Sequence, residues 1–196
     1  QPYEEENEYS EKVIKQIPLL RYYNVFHISQ VDGIEPKEQL KISDLEPIEE
    51  AEKIKTDYMN REHLKIFEKV TNKAFYTPTF DYIEVPCKEQ YQNIEEFYST
   101  LFHEMIHSTG HKNRLDRLET GASAHFGSES YSKEELVAEL GSATLVNMLG
   151  IETEKSFRNS SAYIQNWLQA LKNDNKFIVS ASSKAEKAVK YILNEQ

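Results

Sequence analysis

The sequence is poor in the residues that build cross-linked, fibrous or disordered proteins. Its 196 residues include one cysteine, Cys87, which excludes an internal disulfide and suits a reducing compartment. Six glycines and six prolines, beside 39% apolar residues, exclude collagen-like and low-complexity chains and favour a packed core. A chain of this length forms one domain with a short extra arm rather than two full domains.

Long apolar runs and an excess of positive charge are also missing. No run approaches the roughly 18 apolar residues that span a bilayer, and the acidic start lacks the basic and apolar regions of a signal peptide. The formal net charge is −10, with 23 Lys and Arg against 33 Asp and Glu. Clustered Lys and Arg bind nucleic-acid phosphates, so autonomous DNA binding is disfavoured. We predict a cytoplasmic protein without a membrane partner.

The spacing of apolar residues predicts an α+β fold, with helices and a small, mainly antiparallel sheet. Strands are predicted where aromatic and β-branched residues cluster between turn residues, and helices where apolar residues recur every three to four positions. The predicted strands cover residues 20–28, 74–76 and 82–85, and the last two form a hairpin. The predicted helices cover residues 47–58, 94–109, 132–149, 160–172 and 183–193.

The helix over residues 94–109 has capping signals at both ends. Asn93, with Glu96 three residues later, is an N-cap and capping-box pattern, and Gly110 is the expected C-terminal break. An apolar stripe recurs at helical spacing, formed by Ile94, Phe97, Tyr98, Leu101 and Met105. At 100° per residue, His103 and His107 fall on the side opposite this stripe, so their faces are not needed for the core.

A His-Glu-x-x-His motif lies on this predicted helix at residues 103–107. His103 and His107 are one turn apart, so two ring nitrogens can lie about 2.0–2.1 Å from one Zn²⁺ ion. Glu104 would lie beside the metal without binding it, where it can take a proton from a zinc-bound water. The bare motif also occurs by chance, as two surface histidines on an amphipathic helix.

A catalytic zinc site needs a third protein ligand, and the sequence leaves three candidates open. Glu135 and Glu139 are one turn apart on the next predicted helix. Glu135 is favoured as the ligand, with Glu139 placed to hydrogen-bond a histidine ligand, although Glu135 also fits a capping box with Ser132. His111 follows the helix break and is the third candidate. A metzincin would carry a histidine where this chain has Asn113, which counts against that class.

Two runs resemble the metallopeptidase domain of ArdC-type antirestriction proteins, the zincin-like peptidase domains of polyvalent proteins on plasmids and phages. They read Phe-His-Glu-Met-Ile-His-Ser-Thr-Gly-His-Lys-Asn-Arg-Leu at residues 102–115 and Tyr-Ser-Lys-Glu-Glu-Leu-Val-Ala-Glu-Leu-Gly at residues 131–141. The resemblance implies a zincin-like domain over residues 46–196, a glutamate after the motif as third ligand, and action linked to a mobile element. It also implies that residues 1–45 are an arm that ends a DNA-binding region, while the acidic balance predicts weak binding of single-stranded DNA, if any.

The predicted function is zinc-dependent hydrolysis of a protein or peptide. His103, His107 and Glu135 are the predicted metal ligands, and Glu104 is the predicted catalytic residue. The strand over residues 82–85 is expected to offer an edge to an extended substrate. The alternative is a non-catalytic zincin-fold module that binds protein or single-stranded DNA, because a fold and a motif do not guarantee turnover.

Overall fold

The computed structural model describes residues 2–6, 12–16, 30, 33, 45–118, 129–151 and 175–195. Residues 1–39 and 40–196 form two separate compact units. In the first unit, β1 (Pro2–Glu6) and β2 (Lys12–Gln16) pair antiparallel. The strand predicted over residues 20–28 and the helix predicted over residues 160–172 lie outside the described residues. The assignment of residues 1–45 as the end of a DNA-binding region stays a prediction.

The described part of the second unit contains helices and a three-stranded sheet, which confirms the predicted α+β class. In chain order the elements are α1 (Glu49–Glu62), β3 (Lys65–Lys69), β4 (Phe75–Thr77), β5 (Tyr82–Pro86), a 3₁₀ turn (Lys88–Gln90), α2 (Ile94–Thr109), α3 (Glu129–Met148) and α4 (Asn175–Leu193). No helix in these described ranges is long and apolar enough to cross a bilayer.

The sheet is mixed, with β5 at its centre. β4 pairs antiparallel with β5 as predicted, and Tyr76 lies opposite Ile83. β3, which the sequence analysis missed, pairs parallel with β5 on the other side, so the sheet is antiparallel on one side only. Since β5 is hydrogen-bonded along both sides, the expectation that it offers a free edge to a substrate is wrong. Among the described strands, β3 and β4 lie at the two edges of this sheet.

Helix α2 is the central helix of this unit and is buried around most of its circumference. The predicted stripe lies in the core, with Phe97, Tyr98, Leu101 and Met105 fully buried. Phe102 and Ile106, outside that stripe, are also fully buried. Ile106 packs on Gly141 of α3, where an added Cβ would lie 2.6 Å from the Ile106 Cδ1 atom. The expectation of a single core-facing stripe was therefore too narrow, because α3 covers a second face.

Both predicted ends of α2 are confirmed. The Asn93 side chain accepts a hydrogen bond from the Glu96 backbone N–H at 3.0 Å, as an N-cap does. Gly110 is the C-terminal cap, and its N–H bonds to the His107 carbonyl at 2.9 Å. These caps fix which residues form the last two turns of α2, and those turns carry the histidines.

Helices α3 and α4 begin earlier than predicted, at Glu129 and Asn175. Gly150, at a φ of 66°, follows the end of α3 as expected. Thr144 of α3 is exposed and Ala143 is half-buried. The buried residues of α3 are Leu136, Val137, Ala138, Gly141, Ser142, Leu145 and Val146. Helix α3 contacts both α2 and α4, so its buried surface is wider than one stripe.

Candidate metal centre

Side chains from α2 and α3 converge at one point. The Nε2 atoms of His103 and His107 are 3.1 Å apart. Glu135 brings one carboxylate oxygen to 3.4 Å from His103 Nε2 and the other to 3.5 Å from His107 Nε2. Across the part of the chain that the structure describes, these three residues are the one group of His, Cys, Asp or Glu close enough to share a metal ion.

The spacing within this group suits a shared metal ion. Ligand atoms about 2.0–2.1 Å from a tetrahedral zinc lie roughly 3.3 Å from one another. The Nε2 atoms of the two histidines are 3.1 Å apart, and the nearest Glu135 oxygen to each, a different oxygen in the two cases, is 3.4 or 3.5 Å away. The donor set of two imidazoles and one carboxylate is also one that zinc accepts in catalytic sites.

The three candidate ligands are partly open to solvent. The side chains of His103, His107 and Glu135 are 18%, 14% and 20% exposed. A closed structural site has four protein ligands, whereas a catalytic site keeps one position for water or substrate. Three side chains with an opening to solvent match the second arrangement.

Glu104 lies beside the two histidines and is buried, with 7% of its surface exposed. The Tyr76 backbone N–H of β4 lies near its carboxylate and favours the charged form. Burial nevertheless raises the pKa of Glu104 above its usual range, although the charges of His107 and His103 also oppose this shift. A buried carboxyl with a raised pKa next to the candidate ligands is suited to take up and return a proton.

A carboxylate also lies near the second ring nitrogen of each histidine. Glu139 Oε1 is 3.5 Å from His103 Nδ1, where the sequence analysis expected it to assist a ligand. Glu134 Oε1 is 3.3 Å from His107 Nδ1. The sequence analysis assigned no role to Glu134. The signal was available, because each ligating histidine needs a partner for its other nitrogen.

Charge balance within the group explains two shifted pKa values. Burial disfavours the charged form of His107, but hydrogen bonds to Glu134 and Glu135 outweigh it and raise the pKa of His107 to about 10. Burial likewise disfavours the Glu135 carboxylate, but hydrogen bonds from His103 and His107 outweigh it and hold its pKa well below the usual range. Glu135 is therefore ionised at neutral pH, as a metal ligand must be.

His111, the third ligand candidate from the sequence, lies apart from this group. It is buried, and its Nδ1 atom accepts a hydrogen bond from the Asn113 backbone N–H at 3.3 Å. It follows the end of α2, where the chain leaves the helix direction that carries His103 and His107. The group close enough to share an ion contains Glu135 and not His111.

Comparison with known proteins agrees with this arrangement. A family model described as a zincin-like metallopeptidase matches residues 52–184, more than half of the chain. The crystal structure of the antirestriction ArdC protein from the R388 plasmid in its Mn(II)-bound form is 32% identical, with a TM-score of 0.63. That similarity covers 99% of this chain and 67% of the ArdC chain. The metal-free structure of the same protein gives a TM-score of 0.58 at 32% identity, over 100% of this chain and 69% of that chain.

Curated relatives are much longer than this chain. Two proteins of Escherichia coli named DNA primase TraC are 34% and 37% identical over 93% and 90% of the chain, which spans 12% and 16% of their lengths. An uncharacterized protein of Sinorhizobium fredii, y4eC, is 33% identical over 90% of the chain, which spans 54% of it. The chain therefore belongs to the zincin-like metallopeptidase family, with ArdC-type antirestriction proteins among its relatives.

Proposed function

We propose that this domain is a zinc-dependent peptidase that acts within an antirestriction or polyvalent protein of a plasmid or phage. One observation carries the proposal: His103, His107 and Glu135 come close enough to share a metal ion while Glu104 is buried beside them. Two imidazoles, one carboxylate and a neighbouring glutamate are the parts that zinc-dependent hydrolysis needs. The relatives named for antirestriction supply the setting.

Zinc is the proposed metal because two imidazoles and one carboxylate are a donor set of its catalytic sites. A zinc ion held by these residues would polarise a scissile carbonyl and favour the ionisation of water. The Mn(II)-bound ArdC structure makes manganese the competitor to test. We expect the full chain to bind about one zinc ion. We expect it to keep this ion when a large excess of Mn²⁺ is added, as measured by elemental analysis after gel filtration. Displacement of zinc by equimolar Mn²⁺ would contradict the choice of metal.

Glu104 is the proposed proton carrier. Its burial restricts the carboxylate to a position beside His103 and near the Tyr76 backbone N–H. In this position it takes a proton from the attacking water and then gives it to the leaving amine. The pKa of Glu104 is raised, so the protonated form that the second step needs is easier to reach than for an exposed glutamate.

Edge strand β4 is the proposed docking site for an extended substrate. β4 lies against α2 and, among the described strands, pairs only with β5. The Tyr76 N–H lies near the Glu104 carboxylate, which favours the side of β4 away from β5 as the side that faces the candidate site. A peptide that added a strand here would place its backbone next to Glu104 and the histidines. This assignment replaces β5, whose two sides are already paired.

The test is peptide cleavage by the zinc-loaded full chain. A peptide library from a bacterial proteome would be digested, and new termini would be counted by mass spectrometry. Glu104→Gln is the matched variant, because it keeps the shape of the side chain and leaves the three candidate ligands in place. We expect its cleavage rate to fall by about 10²-fold or more. If the zinc-loaded chain cleaves no more than Glu104→Gln does, the peptidase proposal is wrong and the non-catalytic module is the better account.

A further inference from the structure

The segment after α2 folds back on the end of that helix. The backbone N–H groups of Arg117 and Leu118 both donate to the Gly110 carbonyl at 2.9 Å. An added Cβ at Gly110 would lie 2.7 Å from Leu118 Cγ, so a larger residue here would force the Leu118 side chain to shift. This fold-back places the Arg117 side chain against the last turn of α2.

The Arg117 guanidinium joins α2 to α3. On α2 it donates to the Ile106 carbonyl at 2.8 Å and to Thr109 Oγ1 at 3.0 Å. On α3 it donates to both carboxylate oxygens of Glu134, each at 2.8 Å. Its side chain is 7% exposed, so these bonds form largely out of water. A two-pronged arginine–carboxylate pair fixes both the position and the orientation of the carboxylate.

Glu134, held in this way, faces His107. Its Oε1 atom is 3.3 Å from His107 Nδ1, on the side of the ring opposite the candidate metal position. When Nδ1–H donates to this carboxylate, the lone pair of Nε2 stays free for a metal. The same Nε2 atom is the one that lies 3.1 Å from His103 Nε2.

We propose that Arg117 and Glu134 form a positioning pair that fixes the ring orientation and the tautomer of His107 for metal binding. The inference rests on the proposed metal site and adds to it two residues that bind no metal themselves. Arginine is suited to this place because its planar fork matches both carboxylate oxygens, whereas lysine offers charge without that geometry. Arg117 also offsets one of the four carboxylates that surround the histidines, those of Glu104, Glu134, Glu135 and Glu139.

The first test compares zinc affinity, measured by chelator competition on the full chain, with the melting temperature of the metal-free protein. Glu134→Ala is expected to weaken zinc binding about 10- to 100-fold. Glu134→Gln is expected to lose less, because the amide oxygen can still accept from His107 Nδ1–H, and it serves if the alanine variant does not fold. Glu62→Ala is the matched control. Glu62 is 13% exposed, against 14% for Glu134, and is likewise paired with an arginine, Arg61.

The second test asks whether Arg117 acts through Glu134. Arg117→Lys is expected to weaken zinc binding in the wild-type background and to have no further effect on affinity in the Glu134→Ala background. The pair is overturned if both Glu134 variants bind zinc as tightly as Glu62→Ala does, or if the effects of Arg117→Lys and Glu134→Ala simply add. Absence of zinc binding by the wild-type chain would be a different result, because it removes the metal site itself.

Discussion

Three glutamates on α3 lie within six residues of one another and face different atoms of the same two histidines. Glu135 faces both Nε2 atoms, Glu134 faces His107 Nδ1 and Glu139 faces His103 Nδ1. A carboxylate at a metal-facing nitrogen can bind the ion, while one at the opposite nitrogen can only hold the ring. At the residue scale, position around the imidazole rings therefore decides the role of each glutamate.

This division of roles predicts different metal contents for two single variants. Glu135→Ala removes a ligand, so we expect zinc content to fall from about one ion per chain to near zero at micromolar protein. Glu139→Ala removes only the partner of His103 Nδ1, so we expect the ion to remain with affinity reduced about 10- to 100-fold. Elemental analysis of the desalted proteins measures the first effect, and chelator competition the second. Equal loss of zinc in both variants would contradict the assignment of Glu135 as the third ligand.

At the element scale, the predicted site residues come together because α2 and α3 pack closely. Periodicity and capping were enough to predict α2 and to place His103, Glu104 and His107 on it. Strand β3 could not be predicted from periodicity, because its five residues are Lys-Ile-Phe-Glu-Lys. In so short a strand, the charged side chains obscure the alternation of apolar and polar residues. The pairing of Glu134 with Arg117, seventeen residues earlier in the chain, could not be predicted from helical spacing.

The contact of Gly141 with Ile106 predicts a variant that tests this packing. Alanine is worth about 1 kcal/mol more than glycine inside an exposed helix. At Gly141, however, the new Cβ would meet the buried Ile106 side chain at 2.6 Å, and overpacking of this kind destabilises by about 1–3 kcal/mol. We expect Gly141→Ala to lower the free energy of unfolding, as measured by urea titration of the metal-free protein.

The control for this variant is Ile106→Ala, which removes the Cδ1, Cγ1 and Cγ2 atoms nearest to the added methyl group. In the Ile106→Ala background we expect Gly141→Ala to destabilise less, because the clash is relieved. The same destabilisation in both backgrounds would show that the Ile106 contact is not the cause.

At the scale of the whole molecule, charge separates the peptidase from the DNA-binding alternative. The chain carries a net charge of −10, so its own field repels phosphate. The chain spans between 12% and 54% of the length of three curated relatives. Functions carried by the other parts of those relatives need not belong to this chain. We expect the full chain to show no rise in fluorescence anisotropy with a labelled single-stranded 20-mer at micromolar protein and about 0.15 M salt. Binding that weakened steeply with added salt would reveal a local basic surface strong enough to overcome the net charge, and would favour the module that binds single-stranded DNA.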